Sequence, residues 1–161
     1  MLVSVIIPTF NRRAMVREAV ASVCTQRGSE LDIIVVDHHV AEPHLPEAFA
    51  VVNPNRFDEA SPHRQLAAVG VVFLLVVALN RALRAAYWYG EGHPEPDLMA
   101  WLDLVALGTV CDVVPLIGAN RALVTQGLKV MARRGNAGLA ALADVARLDE
   151  RPEAYHAGFI F

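Results

Sequence analysis

The run Asp37-His38-His39 places a carboxylate and two imidazoles on consecutive residues, a donor set that suits a hard divalent ion such as Mn²⁺. Carboxylate and imidazole supply oxygen and nitrogen ligands, and a second imidazole can hold a phosphate or donate a proton. The same three residues also fit a plainer arrangement, in which Asp37 caps the next element and both histidines face solvent. Asp112 is the second carboxylate that asks for a reason, because it stands between Val110 and Val113 in an apolar run. Burying it is costly unless it is paired, bound to metal, or satisfied by backbone donors at a turn before Pro115. Thr9 and Asn11 close an apolar run near the start, where they either contact a ligand or end a strand and cap a helix. His44, His63, His93 and His156 stand alone and read as surface residues. Trp88, between Tyr87 and Tyr89, either stacks on bases or closes a helix end over the core.

The elements that must carry these groups follow from residue patterning. Ile33-Ile34-Val35-Val36 is β-branched throughout, as in a strand buried on both faces, and it ends directly at Asp37. In an open parallel sheet, ligands sit at that carboxyl end. Residues 3–7 predict an earlier strand stopped by Pro8, and residues 12–26 predict a helix capped by Asn11 and ended before Gly28. With a second strand over 31–36, this is a right-handed crossover unit whose parallel strands bring Pro8-Thr9 and Asp37 to one rim.

A proline-bearing loop over 41–46 and a short strand over 48–52 come next, then a polar loop over 57–62. Helices are predicted over 65–89, 97–107, 120–133 and 137–147, with a turn at 90–96 and a break at Gly135-Asn136. The fold class is therefore α/β: a Rossmann-like parallel sheet with flanking helices and a helix-rich C-terminal half.

With 161 residues, 55% hydrophobic and 19% charged, the chain suits one domain with a substantial core. Its net charge of −3 gives no global basic field, although local clusters such as Arg133-Arg134 can still contact a nucleic acid. Cys24 and Cys111 lack metal-type spacing and read as buried thiols in a reducing compartment. The opening residues lack the basic start and small-residue cleavage site of a secretory leader. Residues 69–79 form the most apolar segment, too short to span a bilayer, and predict a buried core helix. The expectation is a cytoplasmic protein with no membrane association.

From Val36 onward the sequence resembles the RecJ-like exonucleases of the DHH phosphoesterase superfamily, which act on single-stranded DNA from 5′ to 3′. The resemblance rests on Val36-Asp37-His38-His39, Val52-Asn53-Pro54-Asn55, Gly70-Val71-Val72-Phe73-Leu74-Leu75, and above all Leu102-Asp103-Leu104-Val105-Ala106-Leu107-Gly108-Thr109-Val110-Cys111-Asp112-Val113-Val114-Pro115-Leu116. Asn120-Arg121-Ala122-Leu123-Val124 and Gly127-Leu128 continue it. It implies a two-manganese phosphodiesterase site, with Mg²⁺ as a substitute ion and single-stranded DNA as partner. By matching motifs, His38 and Asp112 are metal ligands, His39 faces the scissile phosphate, and Asp37 supports the cluster.

The first residues are similar to another family. Val3-Ser4-Val5-Ile6-Ile7-Pro8-Thr9-Phe10-Asn11-Arg12 and Glu30-Leu31-Asp32-Ile33-Ile34-Val35-Val36-Asp37 resemble the opening of inverting family-two glycosyltransferases, where this unit holds the nucleotide of a sugar donor. That likeness implies nucleotide contacts at Thr9 and Asn11. Together the resemblances imply a chimera forming one domain over 1–161, with a glycosyltransferase-like unit over 1–36 and a partial DHH domain over 37–161.

The chain lacks family aspartates expected from an early D-x-D strand, and Pro8-Thr9 stand where another is expected. The resulting expectation is a metal-dependent phosphodiesterase ancestry with weak or no exonuclease activity. The alternatives are a non-catalytic folded scaffold and a nucleotide-sugar-binding fragment. An unpaired sheet edge beside the first strand predicts self-association into a homo-oligomer.

Overall fold

The structure, a computed structural model, describes residues 32–159 together with Glu18, Ala21, Ser22 and Thr25. The expected strand over 3–7, most of the helix expected over 12–26, and Thr9, Asn11 and Cys24 lie outside the described residues. The chain divides between Arg64 and Gln65 into two compact units.

The first unit holds a small parallel sheet. Strand β1 (Ile34–Val36) pairs with β2 (Ala50–Val52) in parallel, with Ile34 opposite Ala50, Val35 opposite Val51 and Val36 opposite Val52. Both strands are shorter than their apolar runs. The ladder extends past β1 by one bond, in which the Asp37 N–H donates to Val52 O at 3.1 Å. Parallel pairing of β-branched triplets is the arrangement expected of an α/β protein.

The second unit is helical: α1 (Ala68–Ala85), a 3₁₀ turn (Leu98–Trp101), α2 (Leu102–Cys111), α3 (Gly118–Met131), α4 (Ala137–Val145) and α5 (Ala154–Phe159). The mixed α/β class with a helix-rich C-terminal half is therefore as expected. α2 is the hub, packing on α1, α3 and α5. Its closest partner is α3, where Gly127 has no side chain because a Cβ there would lie 2.0 Å from Leu102 O. The core gathers Leu66, Leu102, Val105, Ala106, Val124 and Met131 around this crossing.

Helix boundaries differ from the expected ones for local reasons. α1 starts at Ala68 rather than 65 because Ala67 is extended (φ −67°, ψ 159°). It stops at Ala85 rather than 89 because Tyr87 turns left-handed (φ 55°) and Trp88 N–H reaches back to Leu83 O at 3.0 Å. That closure is a Schellman end. Tyr87 is 93% and Trp88 54% exposed, while half-buried Tyr89 donates its hydroxyl to Oδ1 of the buried Asn80.

The helix expected over 97–107 opens instead as a 3₁₀ turn, capped by Asp97, and then continues to Cys111. The apolar run after 107 thus prolongs a helix, and Asp112 is its C-cap. α3 starts two residues early, and the short α5 was not expected.

Three burial expectations are corrected. α1 is not a buried core helix: at 18 residues and mean hydropathy 1.8 it is long and apolar enough to cross a membrane, yet only 22% of it is buried. Leu74, Val77, Ala78 and Arg81 recur at helical spacing on one exposed face, so Leu74 and Val77 are left exposed, as is Leu79. Cys111 is an exposed free thiol rather than a buried one. His156 is buried, not a surface residue: its Nδ1 accepts the Glu153 N–H at 3.0 Å, and its Nε2 lies 3.1 Å from Glu150 Oε1. Accepting at Nδ1 fixes the proton on Nε2, which donates to the glutamate.

Candidate metal centre

Asp37 leaves β1 at the carboxyl end of the sheet, so its carboxylate turns back over the two residues that follow. Oδ1 accepts the His38 N–H at 2.8 Å, the His39 N–H at 3.3 Å, and the His39 ring Nδ1–H at 2.8 Å. The side chains of His39 and Asp37 are 34% and 25% exposed, so this pair is partly screened from water. Binding Nδ1 to a carboxylate sets the imidazole tautomer and makes Nε2 the ligand nitrogen that His39 offers. The His38 and His39 rings lie 4.3 Å apart, centroid to centroid. The capping weighed in the sequence is thus carried by Oδ1, and these three bonds leave the second carboxylate oxygen unused.

One ligand atom from each of Asp37, His38 and His39 lies within 4.8 Å of the others. Two ligands on one first-row ion stand at most about 4.2 Å apart, twice a bond of about 2.1 Å, so a small side-chain adjustment gathers the set. The mixed oxygen and nitrogen donors suit Mn²⁺ better than Mg²⁺, which prefers oxygen ligands. Among the described residues this is the group of three metal-competent side chains that the fold brings together.

A feature that sequence reasoning quoted but gave no role is Asn53-Pro54-Asn55, the loop leaving β2. Asn53 Nδ2 donates to His39 O at 2.9 Å, and Asn55 Nδ2 donates to His38 O at 2.7 Å and to Arg64 O at 2.8 Å. Asn53 Oδ1 in turn accepts the Asn55 N–H at 2.8 Å. Two amides therefore pin the backbone carbonyls of both histidines from the adjacent strand. The signal available in the sequence was a pair of asparagines around a proline directly after a strand, a pattern that reads first as a turn.

Asp112 belongs to the second unit. It caps α2 with φ −79°, its Oδ2 is buried, and Val113 after it is left-handed (φ 56°). A β-branched residue rarely adopts that conformation. Asn120, fully buried, holds the following segment: its Nδ2 donates to Pro115 O at 2.9 Å and to Gln65 O at 2.7 Å. Thr9 and Asn11, the expected nucleotide contacts, lie outside the described residues.

Comparison with known proteins agrees with this geometry. The family described as the DHH family, N-terminal domain, matches residues 6–109. The single-stranded-DNA-specific exonuclease RecJ of Dickeya dadantii is 48% identical over 119 residues, which cover 73% of this chain and 21% of that protein. RecJ of Escherichia coli is 45% identical over 125 residues, covering 76% and 22%. The chain thus spans about a fifth of the length of these relatives.

Among solved structures, exonuclease RecJ bound to manganese is similar with a TM-score of 0.68 and 30% identity, over 99% of this chain and 36% of that one. RecJ of Thermus thermophilus in complex with Mn²⁺ is similar with a TM-score of 0.64 and 31% identity, over 99% and 21%.

Proposed function

The chain belongs to the DHH family, and from that premise we propose that it carries part of a Mn²⁺-dependent phosphodiesterase centre acting on single-stranded DNA. The observation that carries the reading is the Asp37-His38-His39 cluster at the end of a parallel strand, its two histidine carbonyls clamped by Asn53 and Asn55. RecJ relatives solved with Mn²⁺ and with Mg²⁺ support both ions as the cofactor choice.

In this reading Asp37 and His38 would hold the ion, and His39 Nε2 would be left for the phosphate. A divalent ion held there supplies an activated water and offsets charge developing on the phosphate. Asp37 orients the His39 ring through Nδ1, and His39 faces the scissile phosphate. Asp112 is proposed as a further ligand on the strength of its motif. The sequence before residue 37 contains no D-x-D pair, so turnover by this chain alone is proposed to be weak.

The test is release of mononucleotides from a 5′-ended single-stranded oligonucleotide in Mn²⁺. Slow release that stops in chelator and in Asp37→Asn supports the proposal. Release unchanged by either overturns it.

The family match begins at residue 6, inside the stretch whose motifs resemble glycosyltransferases. A single DHH ancestry over 6–109 is therefore the simpler account of that stretch, and a chimera is the second reading. Uridine-diphosphate protection of amides near Thr9 is the observation that would favour the second. A single domain over 1–161, a cytoplasmic setting and self-association are also proposed.

A further inference from the structure

A cavity of about 530 Å³ lies in the second unit where the 3₁₀ turn and the start of α2 meet the end of α3 and the cap of α4. That volume falls within the range of about 300–1,000 Å³ typical of small-molecule sites. Met99 and Trp101 supply its apolar wall, and Trp101 is 47% exposed. Gln126, Lys129, Arg133 and Asn136 also line it.

The polar lining is weighted towards donors. The Arg133 guanidinium makes no hydrogen bond or ion pair among the described residues, and Lys129 Nζ contacts only Gln126 Oε1, at 3.3 Å. Asn136 spends its Oδ1 on the N–H groups of Gly138 and Leu139, at 3.0 and 3.2 Å, which leaves the Nδ2 donor pair. The two acids in the lining are each tied to a backbone donor: Asp97 Oδ1 takes the Met99 N–H at 3.0 Å, and Asp103 Oδ1 takes the Leu104 N–H at 2.7 Å. What the cavity offers a ligand is thus a guanidinium, an ammonium, an amide NH₂ and an indole face, with the second oxygens of the Asp97 and Asp103 carboxylates in the same lining.

An aromatic face beside a guanidinium and an ammonium that neither carboxylate pairs with fits a planar ring joined to an anion. Bases stack on indole without regard to sequence, and phosphate oxygens accept from arginine in a fork. From this arrangement we propose that the cavity is a nucleotide subsite, with a base stacked on Trp101 and its phosphate held by Arg133 and Lys129. The ligand is a nucleoside monophosphate unit, either free or within a single strand. The site belongs to the second unit and uses none of the Asp37-His38-His39 donors, so it stands or falls independently of the metal centre.

The test is nuclear magnetic resonance of the whole chain in chelator, which silences metal-dependent chemistry. The indole N–H signals of Trp101 and Trp88 are followed during titration with deoxyadenosine monophosphate, with a short single-stranded oligonucleotide, and with inorganic phosphate. The proposal expects a saturable shift of the Trp101 signal while Trp88 stays still. It also expects about tenfold weaker binding in Arg133→Ala, an exposed change that leaves the core intact, and unchanged binding in His38→Ala.

Saturation by the mononucleotide identifies a site for free nucleotide, and saturation by the oligonucleotide alone identifies a site for the strand. Phosphate alone matching the nucleotide would overturn the stacking assignment. No Trp101 shift with either nucleotide ligand, or binding equal in Arg133→Ala, would overturn the subsite.

Discussion

At the scale of single residues, the candidate centre depends on atoms that never touch the ion. Asn53 Nδ2 donates to His39 O, and removing it releases one end of the turn that aims both imidazoles. Loss of such an outer partner typically lowers metal affinity by about 10- to 100-fold. Asn53→Ala should therefore weaken Mn²⁺ binding by about tenfold with both histidines still present, measured by calorimetric titration.

A second residue-scale prediction concerns Glu95. Its carboxyl is held below the ordinary glutamate range by the Arg84 guanidinium first and by Asn80 second. A depressed carboxyl stabilises the fold above its unfolded value and loses that contribution as pH falls through the folded one. The amides of the Gly90–His93 bridge should accordingly lose protection, relative to the intrinsic exchange rate at each pH, as pH falls through the lowered Glu95 value, and Glu95→Gln should remove that pH dependence.

Elements explain what the sequence showed and what it hid. The strand at Ile34–Val36 and its acidic end were legible because four β-branched residues stop at a carboxylate, and the metal-competent triplet is contiguous in sequence. The Asn53 and Asn55 clamps were not, because their partners lie 14 and 17 residues away and asparagine reads locally as a turn former. α1 misled for a related reason: an all-apolar helix predicts burial, but which of its faces a neighbour covers is not encoded in any local pattern. Buried His156 was hidden in the same way, since its partners Glu150 and Glu153 lie in the loop before a short helix.

The α2–α3 crossing is where packing leaves the least room. Gly127→Ala gains helix propensity of about 1 kcal/mol, but its methyl meets Leu102 O and Ala106 Cβ. Overpacking of this kind costs about 3 kcal/mol, so a net loss of roughly 2 kcal/mol is expected in urea denaturation.

For the whole molecule, exposed apolar surface and family membership frame behaviour in solution. Leu74, Val77 and Leu79 on α1 are 41%, 39% and 55% exposed, apolar surface that favours association with a second copy or another apolar surface. The proposed self-association should lessen in a Leu74→Gln, Leu79→Lys variant, seen as a lower average mass in sedimentation velocity. Exposed positions of this kind alter stability by only about 0.5 kcal/mol. A variant sedimenting like the parent would place any association on another surface.

The central claim is that Asp37, His38 and His39 form a working metal site at the end of β1. Calorimetric titration of the chain with Mn²⁺ tests it most directly, beside His38→Ala and Asp37→Asn. Saturable binding by the parent that both substitutions reduce at least about tenfold is the predicted result. Binding absent from the parent, or retained in full by both variants, would contradict it.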